Sequence, residues 1–227
     1  MKTIIVIGGS KGIGNAILNK LLSHSKVLNI SRTVPEFEHA NLSHFSCDVT
    51  KGDLPKIEHA DGLIYCPGSI NLKPISRLSI DDFKNDFEIN VLGAIKAIQT
   101  YLPLLKNGTN PSILLFSTVA AKLGMPFHAS IATAKSGVEG LVKSLGAELA
   151  PTIRINAIAP TVTNTQLASK LLRNDKMVEN ITERHPLKKF LNPEEVAGMA
   201  DFLMSNKAAS MSGQIFEMDC GIVSFKI

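Results

Sequence analysis

Aromatic side chains are scarce in this sequence of 227 residues, which has no tryptophan and only two tyrosines. Few hydroxyl-bearing rings are therefore available for acid–base chemistry. Cysteine is also sparse, and the three cysteines lack both the CxxC spacing of a zinc site and the density of a disulfide framework. No stretch approaches the roughly 20 apolar residues that span a bilayer, and the apolar run at 4–7 is too short for a signal-peptide core. We expect a soluble, cytoplasmic protein without a metal site or membrane contact.

Charge is nearly balanced along the chain. The sequence has 24 lysines and arginines against 20 aspartates and glutamates, a net charge of +4 at pH 7, and it has no basic block with interleaved aromatics. This pattern does not indicate a nucleic-acid partner. The length suits a single α/β domain over residues 1–227, and no repeat, low-complexity segment or interdomain linker divides it.

Short apolar runs recur along the chain with the length of β-strands. Isoleucine, leucine and valine dominate them, which is typical of strands that are buried on both faces of a parallel sheet. Six runs are clear and a seventh, at 44–49, is weaker. The clear runs lie at 3–7, 27–30, 62–65, 113–116, 153–158 and 214–218.

Helical patterns separate these runs, at 14–23, about 81–105, about 130–149 and 193–205. Ser79 and Asp82 predict a capping box at the start of the second helix, and Pro193 suits the first turn of the last. Strands that alternate with helices predict a Rossmann-type α/β fold, in which a doubly wound, mainly parallel seven-stranded sheet carries helices on both faces. The segment 161–190 shows no strand pattern, and we expect it to form a loop over a substrate.

A glycine-rich turn directly follows the first predicted strand and opens the first helix. In this context a dinucleotide pyrophosphate can approach the backbone closely, because there are few side chains to block it. The N-terminus of the helix adds unpaired N–H groups that favour an anion. The residues predicted to bind the cofactor here are Gly8, Ser10, Lys11, Gly12, Ile13 and Gly14.

The spacing of these glycines resembles that of the short-chain dehydrogenase/reductase family, and further motifs of the family follow in order over essentially the whole chain. Asp48-Val49 is similar to the pair that contacts adenine. Asn90 matches the asparagine of the central helix, and Lys135 occupies the position of the catalytic lysine. The stretch 156–165 resembles the segment beside the nicotinamide. The resemblance implies further cofactor contacts from Asp48, Val49, Gly68, Asn90, Lys135, Pro160, Val162 and Thr165, with Val162 bonding the carboxamide through its backbone.

The end of the second predicted strand indicates which dinucleotide is bound. An NAD site normally offers a carboxylate there to the ribose hydroxyls, but this sequence reads Ile30-Ser31-Arg32-Thr33. Arg32 could clamp a 2′-phosphate and Lys11 could add a second cation. NADP(H) is therefore favoured over NAD(H), although both side chains could also be ordinary surface cations.

The sequence departs from the family at the residue that serves there as proton donor. The family has a tyrosine four residues before the lysine, where it gives or takes the proton of the substrate oxygen. Here that position is Ile131, and neither Tyr65 nor Tyr101 has a lysine four residues later. Thr118 stands where the family has its carbonyl-binding serine. It is either a catalytic hydroxyl or a strand-end hydroxyl that bonds the backbone.

His128 is a second candidate for the missing acid. It lies seven residues before Lys135, which matches the wider tyrosine-to-lysine spacing of enoyl-thioester reductases, and an imidazole can donate a proton near neutral pH. It could equally be a polar residue of the loop before the helix. Lys135 shares its helix with an apolar stripe that includes Ile131 and Val138, so we expect it beside a buried face, bonding the nicotinamide ribose.

The resemblance implies an NADP(H)-dependent oxidoreductase with an atypical active site that acts on a small-molecule substrate. Two other functions stay open. One is reduction of an activated double bond in an enoyl thioester, where the enolate oxygen needs only hydrogen-bond donors, and the other is cofactor binding without catalysis in a sensor or scaffold protein. A homodimer or homotetramer formed through the helices at 81–105 and 130–149 is also implied. The catalytic candidates are Asn90, Thr118, His128 and Lys135.

Overall fold

A single sheet of seven parallel strands forms the centre of this computed structural model, which describes residues 1–224. The strands are β1 (Lys2–Ile7), β2 (Ser25–Ser31), β3 (Leu42–Ser46), β4 (Gly62–Tyr65), β5 (Ser112–Phe116), β6 (Arg154–Pro160) and β7 (Ile215–Met218). Their order across the sheet is β3-β2-β1-β4-β5-β6-β7, and each neighbouring pair runs parallel. The predicted Rossmann-type fold is confirmed. The weaker seventh strand, predicted at 44–49, appears as β3, which begins at Leu42 and ends at Ser46, so residues 47–49 follow the strand.

Six α-helices lie within the described part of the chain, and none of them is both long and apolar enough to cross a membrane. The predicted capping box is present, because the Asp82 N–H bonds Ser79 Oγ at 3.1 Å and the Ser79 N–H bonds Asp82 at 2.9 Å. The helices are α1 (Gly12–Leu21), α2 (Ile80–Phe87), α3 (Gly93–Lys106), α4 (Ala129–Glu148), α5 (Asp175–Arg184) and α6 (Pro193–Met204).

Alternating residues of β1 show how the sheet is covered on both faces. Ile5 and Ile7 pack in one cluster with side chains of α3 and α4, whereas Ile4 and Val6 pack in a second cluster with α1 and α6. Successive side chains of a strand point to opposite faces, so a strand that is apolar throughout needs a helical layer on each side. The strand order reverses between β1 and β4, and in open parallel sheets this opens a crevice at the carboxyl ends of the strands.

The predicted helix at about 81–105 is not one regular α-helix. α2 ends at Phe87, a π-helical turn occupies Glu88–Leu92, and α3 continues from Gly93. The wider turn changes the direction of the side chains within it, and Asn90 and Val91 are both buried. The interruption therefore brings the predicted site residue Asn90 into the protein interior.

The segment 161–190 contains a helix that the sequence pattern did not indicate. α5 lies inside it, and none of the residues of α5 is buried. Its apolar side chains Met177, Val178 and Ile181 lie on one face and are half-buried, so the stripe covers less than three turns and was too short to stand out in the sequence pattern. No strand of the sheet lies in this segment, in agreement with the prediction. A smaller correction concerns α1, which begins at Gly12 inside the glycine turn rather than at residue 14.

Candidate active site

The glycine turn between β1 and α1 leaves the start of α1 uncapped. Gly12 adopts φ = +53°, a conformation that favours glycine, and a Cβ on Gly14 would overlap the carbonyl oxygen of Gly8. Lys11 precedes the helix and makes no capping bond through its side chain. Ile13 is half-buried and packs against the cluster beneath α1. The first N–H groups of α1 therefore lie uncapped at the crevice edge, an arrangement that suits a phosphate anion.

Loops from two other strands close over the glycine turn. Pro67 follows β4 and lies against Gly8, where an added Cβ would stand 3.0 Å from Pro67 Cδ. Thr165 follows β6 and lies against Gly12, where an added Cβ would stand 3.3 Å from Thr165 Cγ2. Thr165 also caps a short 3-10 helix through its side chain. The fold thus places Thr165 against the glycine turn, although the two are far apart in the sequence.

The two cations predicted to meet a 2′-phosphate, Lys11 and Arg32, are both exposed. None of the ion pairs within residues 1–224 involves either of them. Thr33 Oγ1 donates to Ser10 Oγ at 2.8 Å, which joins the end of β2 to the glycine turn. Two unpaired cations and two hydroxyls at neighbouring strand ends form a donor set that fits a phosphate monoester.

Asp48 and Val49 follow β3 at the same edge of the sheet. Thr50 donates to Asp48 Oδ1 through its hydroxyl at 2.7 Å and through its N–H at 3.1 Å. These bonds, the hydroxyl bond foremost, outweigh the effect of burial and hold the pKa of the Asp48 carboxyl below its usual value. Val49 is buried. Asp48 is therefore an oriented, ionised acceptor beside the predicted adenine site, and Thr50, which orients it, was not predicted.

Lys135 lies on α4 with its ammonium buried beside the end of β5. Its Nζ donates to the carbonyl oxygen of Phe116 at 2.7 Å. Burial lowers the pKa of Lys135 to about 8, although the carboxylate of Asp86 favours the charged form. Burial also raises the pKa of the Cys66 thiol to about 12, so this thiol is protonated at neutral pH. The expected burial of Lys135 is confirmed, and its lowered pKa makes the ammonium a better proton donor than an exposed lysine.

Asn90 and Lys135 meet at Gly68. A Cβ on Gly68 would stand 3.4 Å from Asn90 Oδ1 and 3.6 Å from Lys135 Nζ. Asn90 Oδ1 is buried and has no hydrogen-bond partner within residues 1–224. Buried polar atoms normally have partners, so an unpaired acceptor beside an ammonium suggests room for a hydroxyl group of a ligand or for a water molecule.

No phenol reaches this region. Ile131 occupies the position one helical turn before the buried lysine, and it is buried itself. Tyr65 donates its hydroxyl to the carbonyl oxygen of Ile89 at 2.6 Å, and Tyr101 donates to that of Pro55 at 2.9 Å. Burial raises the pKa of both tyrosines well above the usual range. Both tyrosines of the chain are therefore committed to structural bonds.

Thr118 lies two residues beyond β5, where it caps a short 3-10 helix, Val119–Ala121. Its Oγ1 accepts the N–H of Ala120 at 3.3 Å. A hydroxyl can accept and donate at once, so this bond leaves the Thr118 proton for a substrate oxygen. The neighbouring Ser117 is buried and donates to Glu139 at 2.7 Å. Thr118 therefore caps the backbone and still has a hydroxyl proton that can donate a hydrogen bond.

His128 precedes α4 and bonds the backbone. Its Nδ1 bonds the carbonyl oxygen of Pro126 at 2.8 Å, and a carbonyl only accepts, so Nδ1 carries the proton and the neutral ring can only accept through Nε2. The side chain lines a cavity of about 470 Å³ with Phe127, and neither Thr118 nor Lys135 lines that cavity. His128 could act as an acid only in its protonated form.

Pro160 ends β6, and the segment after it forms the remaining wall of the crevice. The carbonyl oxygen of Val162 accepts the N–H of Leu191 at 3.0 Å, so its N–H is the backbone group left for a ligand amide. Thr161 donates to Nε2 of the buried His185 at 2.7 Å. This bond joins His185, the residue after α5, to the end of β6. The sequence did not predict the contact, because His185 is a single histidine in a polar stretch.

Three further residues near Lys135 were missed. Asp86 is a buried carboxylate in α2, and it accepts hydrogen bonds from Ser69 at 2.5 Å and from Ser130 at 2.6 Å. Ser69 follows Gly68, and Ser130 precedes Ile131 in the chain. These contacts join segments that are far apart in sequence, so residue patterns alone could not show them.

Within residues 1–224, no three histidine, cysteine or acidic side chains are grouped as metal ligands.

Comparison with known proteins identifies the family of this chain. A short-chain dehydrogenase family protein of Francisella tularensis superposes with a TM-score of 0.91 at 27% identity, covering 99% of this chain and all of that one. The profile of a family described as enoyl-(acyl carrier protein) reductase matches residues 38–223, well over half of the sequence. The chain belongs to the short-chain dehydrogenase/reductase family. The resemblance found in the sequence is therefore confirmed at the level of the family.

Relatives within the short-chain dehydrogenases and reductases extend over nearly the whole chain. The 2,5-dichloro-2,5-cyclohexadiene-1,4-diol dehydrogenase of Sphingobium indicum is 28% identical, covering 98% of this chain and 97% of its own length. Carbonyl reductase (NADPH) 2 of Sus scrofa is 25% identical, covering 97% of this chain and 96% of its own length. These relatives are dehydrogenases and reductases, and the present chain is an oxidoreductase of the same family.

Proposed function

We propose that this chain is an NADP(H)-dependent oxidoreductase that acts on a small molecule without a tyrosine as proton donor. One observation carries the proposal. The uncapped glycine turn, two exposed cations and a buried lysine all lie at the carboxyl edge of the sheet; the three side chains are Lys11, Arg32 and Lys135. The name of the porcine relative, a carbonyl reductase that uses NADPH, supports the choice of cofactor. The nicotinamide would supply or accept a hydride when bound.

The residues divide the binding of the dinucleotide among them. The uncapped start of α1 would bind the pyrophosphate, while Lys11 and Arg32 would bind the 2′-phosphate. The oriented carboxylate of Asp48 would accept from the adenine, and the N–H of Val162 would bond the carboxamide. At the nicotinamide end, Lys135 and the unpaired Asn90 Oδ1 would hold a ribose hydroxyl, because together they offer one donor and one acceptor.

Proton transfer would then rest on Lys135 and Thr118. We infer that Ile131 replaces the family's tyrosine, so no phenol can protonate a developing alkoxide. The Thr118 hydroxyl would bind the substrate oxygen, since its proton has no other acceptor in the local cap. The Lys135 ammonium, with its pKa lowered to about 8 by burial, would be the group that gives up a proton near neutral pH.

Reduction of an activated double bond is the second candidate. A hydride added to the β carbon of an enoyl thioester leaves an enolate oxygen, which hydrogen-bond donors can stabilise without full proton transfer. Thr118 and Lys135 offer such donors, and the site lacks the phenol that simple ketones need. This reaction therefore suits the residues present at least as well as carbonyl reduction.

A pair of binding titrations tests the choice of cofactor. NADPH and NADH are added separately to the purified protein, and the fluorescence of the bound nicotinamide is followed. We expect NADPH to bind more tightly, because only its 2′-phosphate can pair with Arg32 and Lys11. Equal affinities, or a preference for NADH, would contradict the assignment of these two cations.

We also propose a cytoplasmic homodimer or homotetramer. Phe87, the last residue of α2, and Leu92, in the π-helical turn that follows, are 40% and 43% exposed, which leaves apolar surface for a second subunit. The family resemblance implies pairing through the helical stretches at 81–105 and 130–149, and closed symmetry is the usual form of soluble assemblies. Light scattering at micromolar concentration should show two or four chains per particle. The mass of a single chain would contradict this proposal.

A further inference from the structure

The buried carboxylate of Asp86 has two hydroxyl partners, and no basic side chain within residues 1–224 is bonded to it. Ser69 Oγ donates to Oδ1 at 2.5 Å, and Ser130 Oγ donates to Oδ2 at 2.6 Å. Asp86 is only 2% exposed. A buried charge is costly unless it is hydrogen-bonded, so both serines are needed to keep this carboxylate in place.

These bonds determine the orientation of the Asn90 amide. An ionised carboxylate can only accept, so the Ser69 proton must go to Asp86, and Ser69 Oγ can then only accept from its other neighbour. That neighbour is Asn90 Nδ2, which donates to Ser69 Oγ at 3.0 Å and to the backbone carbonyl oxygen of Asp86 at 2.7 Å. Both protons of the amide are used, and Asn90 Oδ1 is left to face Gly68 beside Lys135.

We propose that Asp86 is a positioning residue of this active site, which directs Asn90 Oδ1 toward Lys135 through Ser69 and fixes the start of α4 through Ser130. Its carboxylate also supplies negative charge to the Lys135 ammonium. The groups that face this ammonium are Cys66 at the end of β4 and Asp86 in α2. The Cys66 thiol is protonated and neutral at pH 7, so Asp86 supplies the negative charge that favours the charged form of Lys135. The placement of a ligand hydroxyl between Asn90 and Lys135 rests on the proposed function, whereas the orientation and the charge effect do not.

The charge effect is tested in the protein without cofactor. Lysines are labelled with 13C, and the Lys135 signal, assigned with Lys135→Met, is followed by NMR as the pH rises. In Asp86→Asn the midpoint of this titration should fall by about one pH unit, because an opposite charge is lost. Asp81→Asn is the matched control, since Asp81 lies in the same helix with its side chain 81% exposed. Its midpoint should equal that of the wild type, and an unchanged midpoint in Asp86→Asn would overturn the charge effect.

The orientation is tested through Ser69. In the wild type both side-chain amide protons of Asn90 should exchange slowly with water, because both are hydrogen-bonded in the interior. Ser69→Ala should make one of them exchange at least tenfold faster, while Ser69→Thr should keep both slow, because it retains the hydroxyl. This pair of variants leaves the Asp86 charge in place, so it remains decisive if Asp86→Asn does not fold. Slow exchange of both protons in Ser69→Ala would overturn the positioning role.

NADPH titrations then separate this inference from the proposed function. Ser69→Ala should bind NADPH about tenfold more weakly than the wild type or Ser69→Thr, a change of about 1.4 kcal/mol that corresponds to the loss of one oriented hydrogen bond. If the wild type binds NADPH and all three proteins bind it equally, the positioning of a ligand hydroxyl is wrong. If the wild type fails to bind NADPH, the proposed function is wrong, and the two NMR experiments still decide the role of Asp86.

Discussion

Lys135 Nζ donates a 2.7 Å hydrogen bond to the carbonyl oxygen of Phe116, the last residue of β5. A carbonyl group is neutral, so this bond holds the ammonium in the interior without cancelling its charge. Burial lowers the pKa of Lys135 to about 8 as a result. The same placement that makes Lys135 a usable proton donor therefore also costs the protein stability.

Lys135→Met should stabilise the cofactor-free protein at pH 7 by about 1–3 kcal/mol, because it removes a buried charge and keeps the shape of the side chain. The pKa of Lys135 is below its ordinary value of 10.5, so the folded state disfavours the charged form. This penalty is complete below pH 8. Between pH 8 and 10.5 the folded protein releases the proton before the unfolded chain does, and wild-type stability should rise relative to the variant.

Urea unfolding of the two proteins at pH 7 and pH 9.5 measures this difference. The free energies of unfolding should lie closer together at pH 9.5, after correction for any trend that both proteins share. A variant that is less stable than the wild type at pH 7 would show that the Phe116 bond outweighs the cost of burial.

Arg32→Ala should remove most of the preference for NADPH over NADH. The guanidinium has no ion-pair partner within residues 1–224, so its deletion should remove the proposed 2′-phosphate contact and, besides that, only a weak electrostatic effect on Asp48. A hydrogen bond to a charged group is worth roughly 1.5–3 kcal/mol, which corresponds to about a 10- to 150-fold loss of NADPH affinity. Calorimetric titration of the wild type and the variant with NADPH and with NADH measures this loss of affinity.

Lys20→Ala is the matched control for Arg32→Ala. Lys20 is an exposed cation in the last turn of α1, at the opposite end from the glycine turn. Its loss should leave both affinities within experimental scatter. An equal loss of NADPH affinity in the two variants would mean that overall positive charge, and not a contact at residue 32, attracts the cofactor.

The central strands were predictable because each is an apolar run that must be buried on two faces, and Ile4 to Ile7 show both faces filled. The edge strand β3 has no fully buried residue, and its pattern was the weakest. α5 was missed because its apolar stripe is short and only half-buried, and the π-helical turn at Glu88–Leu92 was missed because apolar periodicity does not resolve a single wider turn. Within the site, local motifs pointed to Lys135 and the glycine turn. The pairing of Asp86 with Ser69 and Ser130 depends on contacts across 17 and 44 residues, and a single aspartate in a helix reads as a surface charge.

Ile131→Tyr should raise turnover of simple ketones. It places a phenol one turn before Lys135, where a positioned general acid typically contributes 10²–10⁴-fold. Ile131 is buried, so the larger ring could overpack the site at a cost of about 1–3 kcal/mol, and folding is checked first by circular dichroism and thermal unfolding. Ile131→Phe is the control, because it adds the ring without the hydroxyl. A gain that is the same in both variants would point to altered packing and not to a restored acid.

The most direct test of the account is NADPH oxidation by the wild-type protein and by Lys135→Met, measured against ketones, aldehydes, quinones and enoyl thioesters. We expect the wild type to oxidise NADPH with at least one of these classes, with simple ketones among the poorest. Lys135→Met should lower that rate by roughly 10²–10⁴-fold, because it removes the proposed proton donor. Full activity in Lys135→Met would show that another group donates the proton. Tight NADPH binding without turnover of any of these substrates would contradict the proposed catalysis and favour a protein that binds the cofactor without catalysis.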